Sequence, residues 1–166
     1  IEINSEKLPN GLNDIRWKVK GKKLYDPRKD SSVGGSGTHR ADDPTTWEYS
    51  NNSILCAFDN VLNHGYKPLN LSRLDLTEIM AEANICDEVV TFQQDGESKS
   101  EPRYTCNGII KLTTSSPAIL SAILKSCNGR VFRANGKLHL KAGAYGGVAS
   151  ITLTLDDASG KITYLP

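Results

Sequence analysis

Apolar and polar positions along the chain fall into alternating stretches of period two and period 3.6, separated by long polar gaps. Ile15, Trp17 and Val19 alternate with charged neighbours over 12–21, which predicts a half-buried strand, and Gly21 is a natural bend before 22–28. From 29 to 44 Ser, Gly and Asp replace the pattern, and the loss of periodicity predicts a long flexible loop. Helical spacing begins at Ile54, Leu55, Phe58, Val61 and Leu62, with Ser50 or Asn52 as cap and His64-Gly65 as stop. A second helix is marked by Asp75 as cap and Glu78 completing a capping box, with Leu76, Ile79, Met80, Ala83 and Cys86 as its buried stripe.

The second half is shorter in rhythm. Residues 89–92 are β-prone, 94–102 read as a polar loop, and 103–112 read as a strand with Tyr104, Cys106 and Ile110 among its apolar members. A third helix starts at Ser116 as cap with Pro117 in its first turn, carries Ile119, Leu120, Ile123 and Leu124, and ends near Asn128-Gly129. Asn135-Gly136 between 130–134 and 137–141 is the signature of a type I′ hairpin. Gly143, Gly146 and Gly147 surround Tyr145, 148–155 alternates like a strand, and Asp156-Asp157-Ala158-Ser159-Gly160 reads as a turn. About three helices packed on six or seven short, mostly antiparallel strands define an α+β fold: a strand region at 11–28, a flexible loop at 29–44 and an α+β body at 45–166.

Charge narrows the classes of function. The 166 residues carry 20 Lys+Arg against 19 Asp+Glu, so the basic excess that phosphate binding requires is missing, and no nucleic-acid partner is expected. No apolar run approaches the roughly 18 residues that cross a bilayer. The chain opens at Ile1 without Met and closes on an alternating run at 161–165, which reads as a strand cut short and so as a fragment of a larger protein.

Motifs with their own chemistry are weak. Cys56, Cys86, Cys106 and Cys127 form no CxxC pair, so buried reduced thiols are expected in place of a zinc site. His39, His64 and His139 are the only available bases for a cysteine nucleophile, and none forms a motif with one. Gly34-Gly35-Ser36-Gly37-Thr38 lacks the Gly-Lys-Ser/Thr ending of a phosphate loop, and Asp42-Asp43 and Asp156-Asp157 lack the pattern of a calcium loop. Lys18, Lys20, Lys22 and Lys23 beside Trp17 and Tyr25 read as a solvated strand face. No catalytic, cofactor-binding or metal-ligating residue and no small-molecule substrate follow from these patterns.

Five phrases, in order, carry a resemblance: Gly21-Lys22-Lys23-Leu24-Tyr25-Asp26-Pro27-Arg28; Trp47-Glu48-Tyr49-Ser50-Asn51; Ala81-Glu82-Ala83-Asn84-Ile85-Cys86-Asp87-Glu88; Arg103-Tyr104-Thr105-Cys106-Asn107-Gly108; and Gly136-Lys137-Leu138-His139-Leu140-Lys141-Ala142-Gly143-Ala144-Tyr145. Together they resemble the central region of the phage tail tip attachment protein, the host-specificity protein of lambda-like long-tailed phages and prophages. Where that family tends to have Asn-Pro-Ala, this chain has Asn51-Asn52-Ser53.

The resemblance implies a hub-like part of a larger tail protein, with a fold like a baseplate-hub domain. It further implies a structural, non-enzymatic role in tail assembly and host attachment, and a place at the virion tail tip after assembly in the bacterial cytoplasm. The implied partners are copies of itself in a trimer, neighbouring tail-tip proteins, and a host receptor reached through another part of the parent chain. Tyr25, Trp47 and Tyr104 become packing anchors in this reading, and Cys86 and Cys106 become small buried hydrophobes. Asp26 and Arg28 fix a turn or an ion pair between segments. The alternatives are a cell-wall hydrolase using Glu78, Glu88, Cys86 or His139, and a carbohydrate- or receptor-binding module presenting Trp47, Tyr49 and Tyr145.

Overall fold

A computed structural model describes residues 19–64, 69–111 and 113–144. The strands expected at 148–155 and 161–165, most of the one at 12–21, and Tyr145 with Gly146 and Gly147 lie outside the described residues. Within them the fold is α+β, with three helices and three two-stranded antiparallel sheets.

In chain order the first pairing is β1 (Lys23–Leu24) with β2 (Glu48–Tyr49), which leads into helix α1 (Ser53–Asn63). Of the two possible caps the fold uses Asn52. Its side-chain oxygen accepts from the N–H groups of Ile54 and Leu55, both at 3.1 Å, and its amide nitrogen donates to the Ala83 carbonyl at 2.8 Å. Helix α1 is buried on most of its circumference, from Ser53 and Ile54 through Phe58 to Val61, so it forms the centre of the molecule.

Helix α2 (Leu76–Asp87) lies against α1. Asp75 accepts from the Glu78 N–H at 3.2 Å, as a capping box requires, but the Glu78 carboxylate turns away to bond His139 and Lys141. The stripe expected on α2 is partly corrected: Ile79, Ala83 and Cys86 are buried, Leu76 and Met80 are half-buried, and the charged Glu82 occupies a buried position between them.

Strands β3 (Val89–Gln94) and β4 (Glu97–Pro102) correct the expected polar loop at 94–102. Asp95 and Gly96, at φ of 55° and 81°, make the tight turn; β3 contains the β-prone run expected at 89–92, and β4 is polar and exposed along its whole length. The strand expected at 103–112 is absent from the residues described there. The amides of Arg103 and Tyr104 donate to the carbonyls of Glu88 and Cys86, and that of Cys106 donates to Asn51, so neighbouring residues bond to different segments and no continuous ladder forms.

Helix α3 (Ser116–Lys125) also packs on α1. Its cap is Ser115, one residue before the expected Ser116, with no side-chain cap bond. Pro117 stands in the first turn, where its missing N–H costs nothing. The helix stops as Asn128 takes φ of 48° and Gly129 donates to the Leu124 carbonyl at 2.7 Å. Strands β5 (Arg130–Ala134) and β6 (Lys137–Lys141) follow as the expected type I′ hairpin, with Asn135 and Gly136 at φ of 50° and 73°. Leu140 of β6 enters the core beside α1 and α2.

The flexible loop expected at 29–44 is instead a folded segment. Three 3-10 turns, Pro27–Lys29, Ser31–Val33 and Pro44–Thr46, are each capped by an aspartate, Asp26, Asp30 and Asp43. Gly35 is there for close approach: a Cβ on it would lie 2.3 Å from the Pro27 carbonyl oxygen. The Ser, Gly and Asp that broke the hydrophobic rhythm are the capping and turn residues of a compact non-periodic structure.

Candidate functional site

Segment 25–47 builds a buried aromatic and ionic network. The Tyr25 ring lies 6.1 Å from both Trp47 and Phe58, and its hydroxyl donates to Asp30 at 2.7 Å. Burial and the neighbouring Asp30 raise the Tyr25 phenol well above its ordinary range, so it stays protonated and keeps the proton it donates to Asp30. Asp30 also accepts from the N–H and hydroxyl of Ser32 and from Arg40. Burial pushes the Asp30 carboxyl upward, but the bonds from Ser32 and Tyr25, with the Arg40 charge, outweigh it and hold the carboxyl below its usual value. The Trp47 indole donates to the Arg40 carbonyl at 2.8 Å.

Asp26 and Arg28 serve both as a turn and as a link between segments. Asp26 accepts from the Arg28 N–H and from two guanidinium nitrogens, while the remaining guanidinium nitrogen reaches Asn84 at 3.0 Å and Asp87 at 2.8 Å on α2. Burial alone would lower the Arg28 pKa, but Asp26 and Asp87 outweigh it and raise it. Tyr104 is half-buried and donates to the Gly143 carbonyl at 3.2 Å.

A second cluster joins α2 to β6. Glu82, which the sequence patterns did not single out, is buried and accepts from the Ala142 N–H and from Lys141, both at 2.9 Å. Glu78 accepts from Lys141 and is bonded to His139, whose ring stacks on Phe132 at 5.1 Å. The bonds from Glu82 and Glu78 raise the Lys141 pKa. A signal for this cluster exists: acids at i and i+4 on one helix face complement the His and Lys at i and i+2 on one strand face.

The hydrolase candidates do not converge as a set. Glu78 meets His139, but Glu88 pairs with Arg103 at the surface, and Cys86 is 0% exposed. No group of three or more metal-ligating side chains suited to an ion occurs among the described residues. Of the rings proposed for sugar stacking, Trp47 is buried at 9% exposure and Tyr49 is at 39%.

All four cysteines are free thiols: Cys86 and Cys127 are buried, and Cys56 and Cys106 are half-buried. Cys56 and Cys106 line a groove of about 570 Å³ walled by α1, α3 and residues 106–111. Its rim includes Lys22, which is bound to Asp59 at 2.8 Å, and the apolar Ile109, 96% exposed. Asn60 also lines the groove at 1% exposure, and both polar atoms of its amide lack a partner among the described residues. Set against models of known protein families and against curated proteins, the chain matches none.

Proposed function

We propose that the chain is a structural module of a phage or prophage tail tip. In this reading it is the hub-like part of an attachment protein, acting through assembly with copies of itself and with neighbouring tail proteins, and it catalyses no reaction. One observation carries the reading: the five phrases behind the family resemblance are the segments that this fold ties to one another. Tyr25 of the first packs on Trp47 of the second, and Arg28 of the first reaches Asn84 and Asp87 of the third. The third and fourth meet through Glu88 with Arg103 and through the Cys86 carbonyl with the Tyr104 amide. The Asn51 carbonyl of the second accepts from Cys106 of the fourth, and the fifth is held by Glu82 to Lys141 and by Tyr104 to Gly143. These cross-links between segments suit a structural module.

The test is fractionation of tail-bearing particles from a strain that encodes the chain, with mass spectrometry of the particle fraction. Peptides of this sequence are expected in the particles, and the purified chain is expected to release no muropeptides from cell-wall sacculi. Peptides found only in the soluble fraction, or muropeptide release, would overturn the proposal.

A further inference from the structure

The β3–β4 hairpin has two open edges of unequal character. Asp95 and Gly96 are both left-handed, so the two-residue loop closes on Gln94 opposite Glu97, and those two residues exchange both of their backbone bonds. Alternation then points the N–H and C=O of Val90, Phe92 and Gln94 at β4, and those of Val89, Thr91 and Gln93 outward. Two contacts agree with this phase. The Glu88 carbonyl, next in the inward set, accepts from the Arg103 N–H at 2.8 Å, and Thr91 and Ser100, opposite each other without backbone bonds, bring their hydroxyls to 3.1 Å. No backbone group of Val89, Thr91 or Gln93 bonds another segment among the described residues. Protein edges are ordinarily blunted by charge or proline. Along β4 stand Glu97, Lys99 and Glu101, and Pro102 falls in its outward set, where it has no N–H to offer. β5 carries Arg130 and Arg133, and the outer side of β6 is met by Leu74. β3, reading Val-Val-Thr-Phe-Gln-Gln, has neither charge nor proline.

We propose that the outer edge of β3 is an association surface for a second copy of this chain, the two β3 strands pairing antiparallel about a two-fold axis at Thr91 to make one continuous sheet with a β4 strand at each edge. The strand is self-complementary in this register. Thr91 faces Thr91 of the second copy and Val89 faces its Gln93, so every outward N–H and C=O of β3 finds a partner. Val90 meets Phe92 of the second copy in the closer pairs that lack backbone bonds, a β-branched side chain against an aromatic one. Moving the axis to Val90 or Phe92 leaves an outward residue beyond the end of the other strand. No charges meet across the pairing, and the added strands relieve a two-stranded hairpin that is exposed on both faces and marginal in water by itself. The interface is small, so the pair is weak and the dilute chain is monomeric. The proposal stands apart from the tail-tip reading: a two-fold pair draws nothing from the threefold arrangement that the resemblance implies, and either can fail alone.

The test is sedimentation velocity of the full chain, with hydrogen exchange read amide by amide by NMR, from about 10 μM to about 1 mM. A monomer–dimer equilibrium is expected, in which the Val89, Thr91 and Gln93 amides gain protection as the dimer fills and those of Val90, Phe92 and Gln94 change less. Thr91→Pro deletes the N–H groups at the axis without touching a bond to β4, and should weaken association by about tenfold or more. Thr91→Lys keeps every N–H but sets like charges opposite each other at the axis, and should weaken it as well. Circular dichroism checks that both variants are folded. A chain that stays monomeric to about 1 mM would overturn the proposal. So would a dimer that both variants leave intact, an oligomer in which the outward amides stay unprotected, or outward amides already protected in the dilute monomer, where another strand of the same chain covers the edge.

Discussion

Asn52 acts on two helices at once, because its amide caps α1 with its oxygen and ties α1 to α2 with its nitrogen. Asn52→Ala removes the cap and strands the buried Ala83 carbonyl, so a loss of about 3 kcal/mol is expected in urea unfolding. Asn52→Ser, which keeps the cap, should lose less. Asp30 makes a pH prediction. Its folded pKa is depressed, so its contribution is complete above the unfolded carboxylate pKa and is lost as pH falls through the folded value. The urea midpoint of the wild type should therefore fall on acidification below the ordinary carboxylate range, and Asp30→Asn should flatten that part of the profile. The sequence marks Asp75 as a cap from its position and narrows the cap of α1 to Ser50 or Asn52. It does not mark Glu82, since a charge on a helix reads as solvated until the strand that brings Lys141 and the Ala142 amide is known.

Among the elements, those with strong local signals were legible. The three helices and the Asn135-Gly136 hairpin have caps, periodic stripes or a turn dipeptide within the element itself. Of the β3–β4 hairpin, β3 showed as the β-prone run at 89–92, whereas β4 escaped because a strand exposed on both faces lacks the alternation that marks a half-buried strand, although Asp95-Gly96 carried the turn signal. The 103–111 segment misled in the opposite direction, its apolar members packing without a ladder. Two opposite outcomes are expected from this. Replacing 91–100 by a short turn should change unfolding free energy little, by about 1 kcal/mol or less, since every residue in it is exposed, Phe92 least at 37%. Gly35→Ala, in a segment that reads as flexible, should cost about 1–3 kcal/mol, because its Cβ overlaps the Pro27 carbonyl. Thermal or urea denaturation of both variants checks the contrast.

At the scale of the whole molecule, α1 is the hub on which α2, α3 and β6 converge, and the cross-links between distant segments run around it. The groove could not be read from spacing, because Cys56, Asn60 and residues 106–111 come from separate segments and meet on its wall only in three dimensions. The most direct measurement is electron microscopy of phage or prophage particles labelled with gold-conjugated antibody against the exposed 91–100 hairpin. Label at the tail end distal to the head is the expected result, and tails that carry no label while the antibody binds the free chain would contradict the account.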